Sequence, residues 1–231
     1  MKTVLITGAS SSIGKALAFK YNEEGYKLLL TYNNREIDYL DELDNYEVYK
    51  CNLKDENSIN ELYECIKDEQ IDILINVACL CMDNSIEDKT KKEFMDVLEV
   101  NVVGTFLLTR KLLPLIKKDV IFMSSLDSTK TPTKDGVDYI ASKAAINTFA
   151  KTFSLSYPNI RFISLLFPWI DTSSIREMNP EYLKEEMNRY GQTKLLTTEY
   201  VSNYIYNVSN SDIETGSIIE VDYDWLWNYS E

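Results

Sequence analysis

The chain has 231 residues, of which 45% are hydrophobic, and its 37 acidic and 24 basic side chains give a formal net charge of -13. This charge argues against nucleic acids and anionic membranes as partners, because both would be repelled. The chain has no histidine, so every mechanism that needs an imidazole is excluded. Proton transfer therefore falls to tyrosine, lysine, cysteine or carboxylate groups.

The opening apolar run, residues 1–6, is too short for a signal peptide, and no later run approaches the ~20 apolar residues of a membrane span. We therefore expect a cytoplasmic protein. Cys51, Cys65, Cys79 and Cys81 fit that compartment as buried thiols. Cys79 and Cys81 could form half of a metal site, but the chain offers no histidine and no second close pair, so no metal is expected.

Strand and helix patterns alternate along the chain. Apolar and β-branched runs predict strands at residues 3–7, 27–32, 46–51, 71–76, 119–123, 160–167 and 217–221. Helical periodicity follows the first strand and recurs at residues 36–43, 58–67, 93–115 and from the segment around Tyr139 to about residue 157. This alternation predicts a single domain over residues 1–231 with an α/β, three-layer Rossmann fold, a doubly wound parallel sheet of about seven strands with helices on both faces.

The first predicted strand runs into a turn of small residues, 8–14, and then into a helix. Small side chains let backbone N–H groups and a helix N-terminus approach a pyrophosphate. The alternative is an ordinary β–α turn with a capping serine. Ser12, Asn76, Ser125 and Pro168 all stand near predicted strand ends, where ligands bind in such folds, so we expect them to line one cleft.

Tyr139 and Lys143 are four residues apart in a helical pattern, which places a phenol and an ammonium group on one helix face. A nearby cation stabilises phenolate over phenol and lowers the pKa of a tyrosine from about 10 toward the working range of a general acid or base. The alternative is an amphipathic surface helix in a chain rich in tyrosine and lysine.

Several short motifs occur in a fixed order along the chain. They are TGASSSIG at residues 7–14, NVAC at 76–79, NVVG at 101–104, SS at 124–125, YIASK at 139–143, TG at 215–216 and VD at 221–222. In this order they resemble the motifs of short-chain dehydrogenases/reductases over essentially the whole chain. The reactive residues of that family are matched, and we expect the chemistry to be retained.

The departures from the family pattern lie on the cofactor scaffold. Ser12 replaces the middle glycine of the phosphate turn, and Val77 and Cys79 replace an asparagine and a glycine in the second motif. Trp169 follows Pro168 where the family has glycine. A hydroxymethyl group at Ser12 either crowds the pyrophosphate or donates a hydrogen bond to it. Cofactor affinity is therefore the property that we expect these changes to alter.

The resemblance implies hydride transfer from a reduced nicotinamide to a carbonyl carbon, with Tyr139 giving its proton to the carbonyl oxygen. Ser125 would hydrogen-bond that oxygen. Lys143 would bind the nicotinamide ribose and lower the pKa of Tyr139, and Asn101 would hold a water behind Lys143. The alternatives are a polar side chain in a helix kink for Asn101 and a serine that caps a strand end for Ser125.

The resemblance also implies a set of cofactor-binding residues. They are Gly8, Ser10, Ser11, Ser12, Ile13, Gly14, Tyr32, Asn33, Asn34, Arg35, Asn52, Leu53, Asn76, Val77, Ala78, Tyr139, Lys143, Pro168, Trp169, Ile170 and Thr172. The second strand ends without a carboxylate before Glu36 and with Arg35 within reach of the adenosine ribose. We therefore expect NADP(H) to be preferred, with NAD(H) as the second choice.

Three functions remain open. The first is an NAD(P)H-dependent oxidoreductase that reduces a small carbonyl compound, and the second is a nucleotide-binding sensor that kept the fold but lost turnover. The third is an NAD-dependent alcohol dehydrogenase. The intact Ser125, Tyr139 and Lys143 favour an enzyme, whereas the missing glycines are the only support for a sensor.

The turn at residues 32–35 is most similar to the 3-oxoacyl-acyl-carrier-protein reductase branch of the family. An acidic carrier protein would need a local basic patch on this acidic chain, and the candidates are Arg110, Lys111, Lys130 and Lys134. The carrier protein is therefore one candidate partner beside small-molecule carbonyl and alcohol substrates.

Residues 172–192 are expected to set substrate choice, with an adaptable lining from Met178, Tyr182, Met187 and Tyr190. The alternative is that these side chains only pack a short helix onto the body. The aromatic tail, residues 223–229, needs a cover. Because the family that the chain resembles forms dimers and tetramers, we expect a partner subunit in a homodimer or homotetramer to cover it. The alternative is that the tail folds back on its own subunit.

Overall fold

The computed structural model describes residues 1–82, 84–130 and 132–221, and this part of the chain forms one seven-stranded sheet. The strands are β1 (Thr3–Ile6), β2 (Lys27–Tyr32), β3 (Tyr46–Lys50), β4 (Ile71–Asn76), β5 (Ile116–Ser125), β6 (Arg161–Phe167) and β7 (Ser217–Glu220). Their order is β3-β2-β1-β4-β5-β6-β7, and every neighbouring pair is parallel. The predicted doubly wound parallel sheet is confirmed.

Helices cover both faces of the sheet. They are α1 (Ser12–Glu23), α2 (Glu56–Ile66), α3 (Lys91–Leu98), α4 (Thr105–Leu112), α5 (Val137–Ser156), α6 (Ser173–Arg176), α7 (Pro180–Arg189) and α8 (Thr198–Ser209). Val4 and Ile6 of β1 pack with α1 and α8, whereas Leu5 between them packs with α2, α4 and α5 on the other face. Successive side chains of a strand point to opposite faces of the sheet. Because helices cover both faces, the strand sequences are almost continuously apolar.

The predicted helix at residues 36–43 is wrong. Only one 3-10 turn, Leu40–Glu42, forms there. Ile37, Tyr39 and Leu43 are buried in the core, a spacing that does not fit one face of an α-helix. The Tyr39 hydroxyl also donates a 2.7 Å hydrogen bond to the main-chain oxygen of Ala9. These long-range contacts hold the segment in an irregular path beside the turn after β1.

The predicted helix at residues 93–115 is interrupted. A π-helical segment, Glu99–Gly104, separates α3 from α4, and the last turn, Leu113–Leu115, is 3-10. A Cβ atom on Gly104 would lie 2.3 Å from the main-chain oxygen of Leu53, so only glycine permits this close approach to the loop after β3. Strand β5 begins directly after that 3-10 turn and extends through Ser125, beyond both ends of the predicted strand.

Candidate active site

A cavity of about 800 Å³ lies at the carboxyl ends of the strands. It includes the loops that follow β1 and β4, the two strands at which the sheet order reverses direction. This switch point is where ligands bind in doubly wound folds. The cavity also reaches the ends of β2, β5 and β6 and the first turns of α1 and α5.

The turn between β1 and α1 depends on two glycines. Gly8 has φ +66°, and a Cβ there would lie 2.9 Å from Cα of Ala78. A Cβ on Gly14 would lie 2.4 Å from the main-chain oxygen of Gly8. Ser11 caps α1, since its hydroxyl accepts a 3.0 Å hydrogen bond from the Gly14 N–H. The turn is thus packed against the loop after β4 by backbone contacts that no larger residue would allow.

This turn fits the pyrophosphate of a dinucleotide. Ser12 and Ile13 begin α1, so their N–H groups have no acceptor within the helix, and both residues line the cavity. Thr7 holds the turn in place, because its hydroxyl accepts hydrogen bonds from the N–H groups of Val77 at 2.9 Å and Ala78 at 3.0 Å. The first helix turn therefore presents backbone donors to the cavity from a rigid support.

Ser12 contacts the segment that follows β6. Its hydroxyl oxygen accepts a hydrogen bond from the Ser173 N–H at 3.3 Å and lies 3.5 Å from the Ser173 hydroxyl. Ser173 begins the short helix α6 within the predicted substrate segment. The serine at the position of the middle glycine therefore links the phosphate turn to that segment.

Tyr139 and Lys143 lie one turn apart near the start of α5, and both line the cavity. Lys143 is 3% exposed, and its Nζ lies 5.3 Å from the centroid of the Tyr139 ring. The same ammonium donates a 2.7 Å hydrogen bond to the main-chain oxygen of Met123 in β5. The helical spacing predicted for this pair is confirmed, and β5 fixes the position of the ammonium.

The start of α5 is held by a buried ion pair that the sequence analysis missed. Asp138 is fully buried, and its Oδ1 accepts a 2.9 Å hydrogen bond from the Tyr139 N–H. Lys89 Nζ lies 3.1 Å from Asp138 Oδ2, and its side chain is 4% exposed. The only sequence signal was an acidic residue in the first turn of the helix, a common feature of helix N-termini.

Asn101 lies behind the cavity and does not line it. Its side-chain oxygen accepts from the Leu80 N–H at 2.7 Å, and its amide donates to the Leu80 main-chain oxygen at 2.9 Å and to the Ser142 hydroxyl at 3.0 Å. Both amide hydrogens are therefore used within the protein. Asn101 ties the π-helical segment to the loop after β4 and to α5.

Ser125 ends β5 and lines the cavity. Its hydroxyl donates a 2.8 Å hydrogen bond to Oδ2 of Asp127 and accepts a 3.3 Å hydrogen bond from the Asp127 N–H. The other carboxylate oxygen of Asp127 accepts from the hydroxyl of Tyr190, which follows α7. Burial raises the pKa of Asp127, although the hydrogen bonds from Tyr190 and Ser125 oppose this effect. Burial, together with the Asp127 carboxylate, also raises the pKa of Tyr190.

The cavity brings together most of the predicted site residues. Those that line it are Gly8, Ser10, Ser11, Ser12, Ile13, Asn33, Asn34, Arg35, Asn52, Leu53, Val77, Ala78, Ser125, Tyr139, Lys143, Pro168, Trp169, Ile170 and Thr172. Gly14, Tyr32, Asn76 and Asn101 do not line it. Tyr32 packs against the core, and the buried Asn76 amide donates to the Thr109 hydroxyl at 3.4 Å. Of the four residues expected to share one cleft, Asn76 is the exception.

Three of the four cysteines are exposed, so the expectation of buried thiols is wrong for Cys65, Cys79 and Cys81. Cys79 and Cys81 line the cavity on the loop after β4. Cys51 also lines it but is buried, and burial raises its pKa to about 11. Within residues 1–82, 84–130 and 132–221, no three His, Cys, Asp or Glu side chains are grouped as metal ligands.

Positive charge in the cavity lies mainly near the first strands. Arg35 is exposed there, and Lys54 lies 2.5 Å from Asp96 Oδ1 and 3.4 Å from Glu99 Oε2. The opposite side is lined by residues of the substrate segment, Met178, Tyr182 and Tyr190, and by Asp127 and Asp135. Met187 of the predicted lining does not reach the cavity.

Among the helices that the structure describes, none is long and apolar enough to cross a lipid bilayer.

The chain is similar to known oxidoreductases over almost its whole length. The 3-oxoacyl-[acyl-carrier-protein] reductase FabG of Buchnera aphidicola is 26% identical, over 95% of each chain. The dehydrogenase/reductase SDR family member 6 of Rattus norvegicus is 28% identical, over 97% of each chain.

Solved structures show the same fold. A dehydrogenase/reductase from Sinorhizobium meliloti superposes with a TM-score of 0.81 at 23% identity, over 96% of this chain and 93% of its own. The aldohexose dehydrogenase of Thermoplasma acidophilum also gives 0.81, at 22% identity, over 96% of this chain and 92% of its own. The family model for short chain dehydrogenases matches residues 2–183. The chain therefore belongs to the short chain dehydrogenase family and is an NAD(P)-dependent oxidoreductase.

Proposed function

We propose that this oxidoreductase reduces the carbonyl group of a small or medium-sized compound to an alcohol, with NADP(H) as its preferred cofactor. The observation that carries the proposal is the grouping of Ser125, Tyr139 and Lys143 on one cavity, with Lys143 Nζ 5.3 Å from the Tyr139 ring centroid. The phosphate turn opens into the same cavity, so one bound dinucleotide could reach both.

When bound, the reduced nicotinamide supplies a hydride to the carbonyl carbon. Tyr139 donates its proton to the carbonyl oxygen, and the adjacent ammonium of Lys143 stabilises the phenolate that remains. Ser125 donates a second hydrogen bond to the same oxygen, where negative charge develops. Its hydrogen points to Asp127 in the structure, so this role requires the hydroxyl to rotate.

Asn101 acts in this proposal through its position. Its amide hydrogens are taken by Leu80 and Ser142, so in this arrangement its side chain does not donate a hydrogen bond to a water behind Lys143. The bonds of Asn101 instead keep the loop after β4 and α5 at a fixed separation. The polar side chain in a helix interruption, the alternative considered for this residue, agrees with these contacts.

The cofactor preference rests on the loop after β2. Asn33, Asn34 and Arg35 line the cavity, and the first carboxylate of this loop, Glu36, is exposed and does not line it. A guanidinium favours a 2′-phosphate, whereas a carboxylate at this place would repel it. Oxidation of an alcohol with NAD(H) uses the same residues in reverse and is the second candidate.

We assign residues 1–231 to one cytoplasmic domain and residues 172–192 to substrate choice. Short-chain dehydrogenases act on small molecules and often form oligomers, and we propose a homodimer or homotetramer. The aromatic tail at residues 223–229, on which that prediction was based, lies outside the described residues.

The candidate basic residues give little support for a carrier-protein partner. Lys130 pairs with Glu220, Lys111 lies 4.7 Å from the centroid of the Tyr63 ring, and Arg110 lies 4.0 Å from Glu56 Oε1. Lys130 and Arg110 thus already face a carboxylate of this chain, with which an acidic partner would compete. We therefore favour a small-molecule substrate, although one relative is named a carrier-protein reductase.

The test compares wild type with Tyr139→Phe for NADPH consumption with an activated diketone. Tyr139→Phe keeps the ring but removes the proton, so turnover should fall by roughly 10²- to 10⁴-fold while NADPH binding survives. Tyr157→Phe at the far end of α5 is the matched control. Equal rates in wild type and Tyr139→Phe would remove Tyr139 from the mechanism. Binding of NADPH without turnover of any carbonyl in wild type would favour the sensor.

A further inference from the structure

Asp127 adds a second polar side chain to the cavity wall just after β5 ends at Ser125. It lies two residues beyond Ser125, lines the cavity, and accepts the Ser125 hydroxyl hydrogen at 2.8 Å. The two oxygens of an α-hydroxy carbonyl compound lie side by side, as do Ser125 Oγ and Asp127 Oδ2. A substrate whose carbonyl oxygen meets Ser125 therefore places a neighbouring substituent at Asp127.

The Asp127 carboxylate has acceptor capacity left for a ligand. A carboxylate offers about four acceptor positions. Among the described residues, three groups use them, the hydroxyls of Ser125 and Tyr190 and the N–H of Thr133. One acceptor position of the Asp127 carboxylate therefore remains. Because Asp127 lines the cavity, this position can accept a hydrogen bond from a substrate.

The charges around Asp127 argue against an anionic substrate. Asp127 and Asp135 both line the cavity, and the cation of the substrate segment whose charge acts on Asp127 is already paired. That cation, Arg189, donates to both oxygens of Glu186 at 2.9 and 3.1 Å and to the main-chain oxygen of Pro132 at 2.8 Å. An anion placed against Asp127 would therefore meet two carboxylates on this side of the cavity.

An apolar substrate is disfavoured for a second reason. Burial already raises the pKa of Asp127, which shows that its charged form is poorly solvated. An alkyl group placed against the carboxylate would remove more water and return no hydrogen bond, which is unfavourable for a buried polar group. A hydroxyl or ammonium group would replace that water with a donor.

We propose that Asp127 binds a hydrogen-bond donor on the carbon beside the reacting carbonyl, so that the substrate is a hydroxylated or amine-bearing carbonyl compound. This assignment rests on the proposed carbonyl reduction. In that reaction the hydride adds to the carbonyl carbon and Tyr139 supplies the proton, while Asp127 only orients the substrate. The alcohol product therefore keeps its neighbouring hydroxyl or amine.

Four ketones of nearly equal size test the assignment, each reduced with saturating NADPH. They are hydroxyacetone, aminoacetone, butan-2-one and pyruvate, which place a hydroxyl, an ammonium, a methyl or a carboxylate group beside a similar carbonyl. In wild type, kcat/KM should be highest for the first two. The four ketones differ in intrinsic reactivity. The decisive quantity is therefore the ratio of kcat/KM between two ketones, compared in wild type and in variants of Asp127.

Asp127→Ala should lower the ratio of kcat/KM for hydroxyacetone to kcat/KM for butan-2-one by roughly 10- to 100-fold. This is the effect expected for losing a hydrogen bond to a charged group. Asp127→Asn keeps the shape but removes the charge, so it should lower aminoacetone turnover most. Asp68→Asn, an exposed carboxylate after α2, is the control for the change in net charge.

Three outcomes would overturn the assignment. Unchanged ratios in Asp127→Ala would show that Asp127 does not contact the substituent. A parallel loss for all four ketones would show that Asp127 only positions Ser125, and the proposed reductase function would stand. No turnover of any ketone by wild type that binds NADPH would remove the reductase function and this assignment together.

Discussion

Lys143 Nζ lies 5.3 Å from the centroid of the Tyr139 ring and at the same time donates a 2.7 Å hydrogen bond to the main-chain oxygen of Met123. A side chain in α5 is thus fixed by the strand that also ends in Ser125. Tyr139, Lys143 and Ser125, for which we propose the roles of proton donor, cation and second hydrogen-bond donor, are therefore held by two packed elements rather than by loops.

We expect Lys143→Ala to alter both cofactor binding and pH dependence. Removing the ammonium removes a candidate ligand of the nicotinamide ribose, so the Kd for NADPH should rise. It also removes the positive charge that favours phenolate at Tyr139, so the rate of alcohol oxidation should rise at a higher pH than in wild type. Lys151→Ala, exposed on the same helix, is the control. An unchanged pH profile would exclude electrostatic coupling of the pair.

Arg35→Ala should change cofactor choice. Arg35 is the exposed cation on the cavity wall after β2, where a 2′-phosphate is expected. Its loss should weaken NADPH binding by roughly 10-fold or more and leave NADH almost unchanged, because only NADPH carries the phosphate. Titrations followed by tryptophan fluorescence at constant ionic strength measure both, with Arg110→Ala as the control. Tighter binding of NADH than NADPH by wild type would contradict the proposed preference.

Thiol alkylation should report on cofactor binding. Cys79 and Cys81 are exposed on the cavity wall, whereas Cys65 is exposed on α2 away from it. Saturating NADPH should slow alkylation of Cys79 and Cys81 at pH 8 and leave Cys65 unaffected, as followed by mass spectrometry of peptides. Cys51 should react slowly in every sample, because burial raises its pKa to about 11. Equal protection of Cys65 would mean that NADPH acts on the whole protein rather than on this cavity.

Asp127→Asn should change how stability depends on pH. Because the pKa of Asp127 is raised in the folded protein, its stabilising contribution is fully present below its unfolded pKa of about 4 and is lost as pH rises through the folded pKa. Asparagine lacks this titration. The melting temperature of Asp127→Asn minus that of wild type should therefore become more positive from pH 4 to pH 7.

For a chain of this size, a stability difference of about 1 kcal/mol changes the melting temperature by about 2–4 °C. Calorimetry of wild type, Asp127→Asn and Asp68→Asn at several pH values measures it, and the last variant corrects for the loss of one surface charge. A difference that is flat or falls with pH would contradict the raised pKa of Asp127.

The sequence was sufficient for the alternation of strands and helices and for the pairing of Tyr139 with Lys143. Both depend on local periodicity, because neighbours along a strand alternate between faces and residues four apart share a helix face. The β-branched runs marked the seven strands, and the order of motifs marked the strand ends that line the cavity. These features could be predicted because each depends on residues that are close together in the sequence.

Only the tertiary structure decided the rest of the candidate site. Residues 36–43 do not form the predicted helix, because Ile37, Tyr39 and Leu43 are buried in the core in an irregular path. Asp127 meets Tyr190 across 63 residues of sequence, and Lys89 pairs with Asp138 beneath the start of α5. These partners are brought together by the crossovers of the sheet, and side-chain burial and hydrogen bonding between distant segments leave no periodic signal in the chain.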